Sequence, residues 1–163
     1  MIDIETYIDR LKAKLSEKRG LPKDGVPSEE EIRSEAERLR SKGIPPSIAV
    51  TKVFTPLWFK RKRAEAELPS IIKETCLAFN FDNYEDALYE DGDNLLDVKY
   101  ISAWIAVERF NIRPHTVIKD MLHLSNNSMV NHSVGRAKTK MDRSVAFAEK
   151  LNQVLINLGL ERI

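Results

Sequence analysis

A chain of 163 residues has room for one ordinary domain, or for a small domain with a helical extension, and leaves none for a multi-domain enzyme. It is 42% hydrophobic and 31% charged, so it can bury a core beneath a charged surface; 26 basic against 25 acidic residues give a net charge of +1, which excludes the bulk basicity of a histone-like protein and confines any polyanion site to a local patch. One cysteine, Cys76, excludes an internal disulfide and points to reducing, cytoplasmic surroundings, while no basic-then-apolar leader and no run near the roughly 18 apolar residues of a membrane span is visible, so no membrane partner is expected.

Only six glycines occur and helix formers dominate, so the expected fold class is all-α. Ile4, Ile8, Leu11 and Leu15 recur at helical spacing behind Asp3 as N-cap, and this helix should stop near Arg19 and Gly20. Residues 21–27 hold two prolines and a glycine, a composition that interrupts hydrogen-bonded ladders. Residues 1–27 are therefore read as a detachable helical arm with a linker. Ser28 and Glu31 form a capping box at the start of a second helix over residues 29–42. Its narrow apolar stripe of Ile32, Ala36 and Leu39 predicts a peripheral position, and Gly43 supplies its left-handed end. Pro45 and Pro46 open a short helix through Phe54. Pro56 opens another over residues 57–67 that stops before Pro69, and Pro69 opens one more through Phe79.

Charge is unevenly spread along this half. Residues 52–63 contain five bases and no acid, and residues 82–97 contain seven acids and no base. Beyond the acidic run, Leu95, Val98, Ile101, Trp104 or Ile105, and Phe110 mark an amphipathic helix capped by Asn94. The domain boundary is placed between Tyr89 and Asn94, which gives a helical region over 28–93 and a C-terminal domain over 94–163. Pro114 starts a short helix ending near Leu122, and Ser125-Asn126-Asn127-Ser128 forms a polar turn. The helix that follows turns Met129, Val130, Val134, Ala137 and Met141 inward, with Asn127, Ser128, Asn131, His132, Arg136, Lys138 and Lys140 over much of the rest. A last helix over residues 144–158 places Val145, Ala148, Leu151, Leu155 and Leu158 at near-heptad spacing and ends at Gly159.

A short helix, a brief turn and a second helix that opens on asparagine and serine is how a helix-turn-helix reads from sequence. Asn and Ser at a helix start reach base edges or phosphates, and the backbone N–H groups there favour anions. Arg136, Lys138 and Lys140 are placed to hold the phosphate backbone. Residues 125–143 carry four bases and one acid, a local charge of +3.

On these residues the stretch from Lys99 through Leu158 resembles the C-terminal DNA-binding domain of the bacterial replication initiator DnaA, of the Trp-repressor-like helix-turn-helix group. Lys99-Tyr100-Ile101-Ser102-Ala103-Trp104-Ile105 stands where that family's opening helix lies. Ser125-Asn126-Asn127-Ser128-Met129-Val130 falls at its Arg-Asp-His-Thr-Thr-Val position, one residue further along, and His132-Ser133-Val134-Gly135-Arg136 parallels its His-Ala-x-x-Lys continuation. The resemblance, limited to about residues 94–160, implies double-stranded DNA as partner. Ser125, Asn126, Asn127, Ser128, Asn131 and His132 would then face bases or the groove, with Lys99, Arg136, Lys138 and Lys140 on phosphates. Ser125, Asn126 and Asn127 replace the signature's arginine, aspartate and histidine, so the family's usual origin box is not implied. No glycine is followed by lysine, so the Gly-x4-Gly-Lys phosphate loop is missing and no nucleotide cofactor is expected.

Other patterns carry less. His115, Asp120 and His123 fall short of the ligand number a zinc site needs, and Asp91-Gly92-Asp93-Asn94 lacks the remaining ligands of a calcium loop and reads as a turn. No nucleophile motif or acid/base couple is present, so a non-enzymatic protein is expected. Lys60-Arg61-Lys62-Arg63 behind Leu57-Trp58-Phe59 can bind phosphates and stack bases, against a simpler reading as an exposed helix face with Trp58 and Phe59 packed beneath it. The resulting expectation is a regulator or a phage-type replication or packaging accessory, with residues 1–93 serving homo-oligomer formation or a protein partner. The competing expectation is a helical subunit of a viral or multi-protein assembly that joins copies through its basic and acidic runs.

Overall fold

The computed structural model describes residues 2–18, 27–90 and 92–163, and all regular structure among them is helical. The chain forms two compact units, Met1–Phe59 and Lys60–Ile163. The linker segment 21–26, the expected helix stop at Arg19 and Gly20, and Asp91 lie outside the described residues.

In the first unit, α1 (Ile4–Glu17) starts at Asp3, whose side chain accepts the Thr6 N–H. α2 (Glu29–Ser41) starts at the complete Ser28–Glu31 capping box. Gly43, at a φ of +68°, lets the Ile44 N–H turn back to the Leu39 carbonyl and close α2. The short α3 (Pro46–Ile48) runs on as a π-helical turn, Ala49–Val53. α1 is not a detached arm. Tyr7, Ile8, Leu11 and Leu15 are buried with Ile32, Ala36 and Leu39 of α2 and with Ala49, Val50 and Phe54. The Tyr7 hydroxyl donates to the Ile44 carbonyl at 2.6 Å, and Lys18 Nζ donates to the Val50 and Phe54 carbonyls. Four apolar residues on one face of a 14-residue helix favour burial over solvent, and α2's narrow stripe is the surface that receives them.

The chain leaves this unit inside α4 (Pro56–Ala78). The expected break before Pro69 is absent, because α4 runs straight through that residue. Leu68, Ile71, Ile72, Thr75 and Cys76 are buried around it, while Pro69 itself is exposed, so the carbonyl deprived of its partner faces the solvent side. Packing outweighs the proline penalty here. Pro69→Ala is accordingly expected to stabilise the protein by about 1–3 kcal/mol, read as a higher urea midpoint at unchanged m-value. An unchanged or lower midpoint would mean that α4 pays no such penalty.

The second unit continues with α5 (Tyr84–Leu88), α6 (Asp93–Trp104) extended by a π-helical turn (Ile105–Arg109), α7 (His115–Met121), α8 (Ser128–Arg143) and α9 (Val145–Asn157). α6 is its central element. Val98 and every residue from Tyr100 to Ala106 are buried, so this helix is enclosed on nearly all sides rather than amphipathic. It begins at Asp93 behind Gly92, which leaves Asn94 inside the first turn instead of at the cap. The boundary expected near residues 89–94 falls inside one core, since Ala87 and Val98 on either side of it belong to the same buried cluster. In α9, Ser144 caps the helix through the Phe147 N–H, which puts Val145 at the first position with 76% of its surface exposed. Phe147, Leu151, Val154 and Leu155 make the inward face instead. Cys76 is fully buried, and desolvation pushes its thiol up to about 11, which makes it an inert packing group.

Candidate nucleic-acid interface

α7, a six-residue turn and α8 follow the expected short helix, turn and longer helix. α7 closes on His123, which adopts a φ of +53° and lets the Leu124 N–H reach the Lys119 carbonyl at 2.9 Å. A half-buried hydrogen bond fastens this corner: the Tyr84 hydroxyl donates to the Leu122 carbonyl at 2.6 Å. Burial raises the Tyr84 phenol, so it stays a donor across the physiological range. Asn126 begins α8 in practice, its Oδ1 accepting from the Met129 N–H at 3.1 Å and from the Ser128 hydroxyl at 2.5 Å. Asn127 makes no such cap and instead stands 3.5 Å from the Thr116 hydroxyl with its amide nitrogen.

Within α8 the inward residues are Val130, Ser133, Val134 and Ala137, with Met129 and Met141 only partly covered. At 3.6 residues per turn, the opposite side presents Ser128, Asn131, His132, Gly135, Arg136, Thr139, Asp142 and Arg143, all of them exposed. Arg136 and Arg143 have no carboxylate partner among the described residues. A Cβ added to Gly135 would meet nothing within 4 Å, so an incoming surface can approach this helix closely at its middle.

Lys138 and Lys140 occupy the two margins of α8, each about 100° from that face's centre by helical geometry, and both turn toward the α6 segment. Lys138 Nζ meets Glu108 Oε1 at 3.0 Å, and Lys140 Nζ meets Asp97 Oδ1 at 2.5 Å while lying 5.5 Å from the Phe147 ring centre. Their charge is already matched by carboxylates of the α6 segment. Lys99 is half-buried on α6, and desolvation lowers its ammonium from the ordinary lysine value. Of the expected phosphate-holding cations, Arg136 alone stands on the exposed face. The sequence reading left out Arg143, Gly135 and Thr139, which a 100° projection of residues 128–143 would have included. Nothing local announces the Glu108 and Asp97 pairings, which span 30 and 43 residues.

His115 opens α7 with its Nε2 buried and without a hydrogen-bond partner. Desolvation, followed by the charge of Arg113, holds its imidazole below the usual histidine range. The folded protein therefore takes this proton less readily than the unfolded chain. The associated stability is complete above about pH 6.5 and is lost as pH falls toward the lowered folded value. His115→Gln should flatten that acid-side decline in urea midpoints collected across a pH series. Identical slopes for the two proteins below pH 6.5 would contradict this assignment.

The remaining candidates resolve into structure. Trp58 and Phe59 pack with Phe54, at centroid distances of 4.6 and 6.4 Å. Arg61 and Arg63 pair with Glu65 and Glu67 one turn on. His123 lies 5.9 Å from the Tyr84 ring, and no group of three or more His, Cys, Asp or Glu side chains suited to a metal occurs among the described residues. No described helix is long and apolar enough to cross a membrane. Compared with known proteins, the chain matches no family model, no curated protein and no solved structure.

Proposed function

We propose that the chain is a non-enzymatic duplex DNA-binding protein, a regulator or a replication or packaging accessory, that uses residues 114–143 as a helix-turn-helix of the Trp-repressor-like type resembling the DnaA C-terminal domain. The observation that carries this reading is the exposed outer face of α8, where Asn131, His132, Arg136, Thr139 and Arg143 are directed outward with Asp142 as the one carboxylate among them. A 16-residue helix is about 24 Å long and fits the major groove, which is about 12 Å wide. Asn131 and His132 supply donors and acceptors for base edges, Gly135 permits close approach, and Arg136 and Arg143 reach the flanking phosphates. Ser125 and Asn127, exposed in the turn, meet the backbone at the helix start. Lys138 and Lys140 contribute to holding α8 against α6 rather than to phosphate binding.

Titration of a fluorescent random-sequence duplex with the full chain at several salt concentrations tests this. Two or three phosphate contacts predict a log–log salt slope of about −2 to −3 and binding in the range of roughly 1–100 μM at moderate salt. No association even at low ionic strength would remove the proposal. A second reading, an interaction subunit without DNA binding, draws on the neutralised lysines of α8 and on the i,i+4 pairing of Arg61 and Arg63. It predicts concentration-dependent assembly in sedimentation with no response to added duplex.

A further inference from the structure

Away from α8, the second unit holds a recess of about 140 Å³ between α4 and the segment that follows the α6 π-helical turn. Lys60, Arg63 and Glu67 line it from α4, and Phe110, Asn111 and Arg113 from the other side. The second wall is fixed by its backbone: Asn111 takes a φ of +49°, and the Ile112 N–H donates to the Ala106 carbonyl at 2.8 Å. Three cations and one carboxylate give the recess a net charge of +2. Arg63 Nε is 3.1 Å from Glu67 Oε1, whereas Lys60 and Arg113 have no carboxylate partner among the described residues. Arg113 spends one Nη1 hydrogen bond on the adjacent Ile112 carbonyl and keeps its remaining donors. Glu67 Oε2 is buried with no hydrogen-bond partner, an acceptor that awaits a donor.

We infer that this recess binds a small phosphomonoester whose alcohol portion carries free hydroxyl groups, as in a nucleoside monophosphate. A phosphomonoester brings a charge of about −1.5 to −2 at neutral pH, which the pocket's +2 matches. Lys60 and Arg113 take the phosphate oxygens, and the orphaned oxygen of Glu67 accepts a sugar hydroxyl. Phe110 covers the apolar edge of the sugar. A recess of this size admits a terminal phosphate and excludes the continuous backbone of a duplex, so the inference stands apart from the α8 reading.

The test is backbone amide chemical-shift mapping on the full ¹⁵N-labelled chain with inorganic phosphate, adenosine monophosphate and adenosine, together with one unphosphorylated duplex. Inorganic phosphate and the monophosphate should move the amides of residues 60–67 and 110–113, adenosine should not, and the monophosphate should bind several-fold tighter than phosphate through Glu67. The variant carrying Lys60→Gln and Arg113→Gln, whose α8 resonances confirm its fold, should bind the monophosphate roughly tenfold or more weakly while its affinity for the unphosphorylated duplex is unchanged. Shifts scattered over all surface cations, no shift at millimolar monophosphate, or undiminished binding by the double variant would overturn the inference. Loss of duplex binding in the unmodified chain would instead count against the α8 reading alone.

Discussion

Arg136→Ala is expected to weaken duplex binding roughly tenfold, equivalent to about 1.4 kcal/mol, and to reduce the magnitude of the log–log salt slope by about one. The side chain is exposed on the outer face of α8 and has no carboxylate to release before it meets a phosphate, so its full charge is available. Stability should change by less than about 0.5 kcal/mol, because no buried contact is lost. Lys138→Ala provides the contrast. That lysine is held by Glu108 at 3.0 Å, and its removal also frees a carboxylate near the binding face, so its effect on the salt slope should be smaller. Equal losses from the two substitutions, or a larger loss from Lys138→Ala, would show that the exposed face is not the contact surface.

The largest effect on stability is expected from Ile101→Ala, at about 2–5 kcal/mol. Ile101 is completely buried in the middle of α6, the helix around which the second unit is assembled. Truncation removes apolar contacts and leaves a cavity that neighbours on an enclosed helix can fill only in part. Against a usual domain stability of about 5–15 kcal/mol, such a loss should bring the melting temperature down by ten degrees or more. Ile101→Val should cost only about 0.5–1.5 kcal/mol, which separates a volume effect from a general intolerance of substitution. A loss below about 1 kcal/mol for the alanine variant would mean that α6 is not the central packing element.

Local signals carried the fold well where chemistry acts over three or four residues. The Ser28–Glu31 box, the Asp3 cap and the glycines at 43 and 159 mark ends that the structure places within a residue or two of expectation. Failures came where distant packing decides. Pro69 breaks a helix by its own chemistry, yet Leu68, Ile71 and Ile72 are buried on both sides of it and keep α4 whole. α1 followed by a proline- and glycine-containing stretch reads as an arm, and only the partner face on α2 shows otherwise. The acidic run invites a boundary, yet one of its members, Asp97, is an anchor for Lys140 across 43 residues.

The same distinction governs the candidate interface. That Asn131, His132 and Arg136 point away from the core follows from the 3.6-residue period and was legible in residues 128–143. Which cations remain unpaired was not, because Glu108 and Asp97 reach α8 through tertiary packing. The recess lined by Lys60, Glu67 and Arg113 was equally hidden, since its two walls lie more than forty residues apart in the chain.

The most direct test of the central claim is amide chemical-shift mapping of the full chain with an unphosphorylated duplex at low salt. The DNA reading predicts that the largest shifts cluster on residues 125–143, led by Asn131, His132, Gly135, Arg136 and Thr139, and fade as salt is raised. Shifts absent from that face, or confined to other helices, would contradict it.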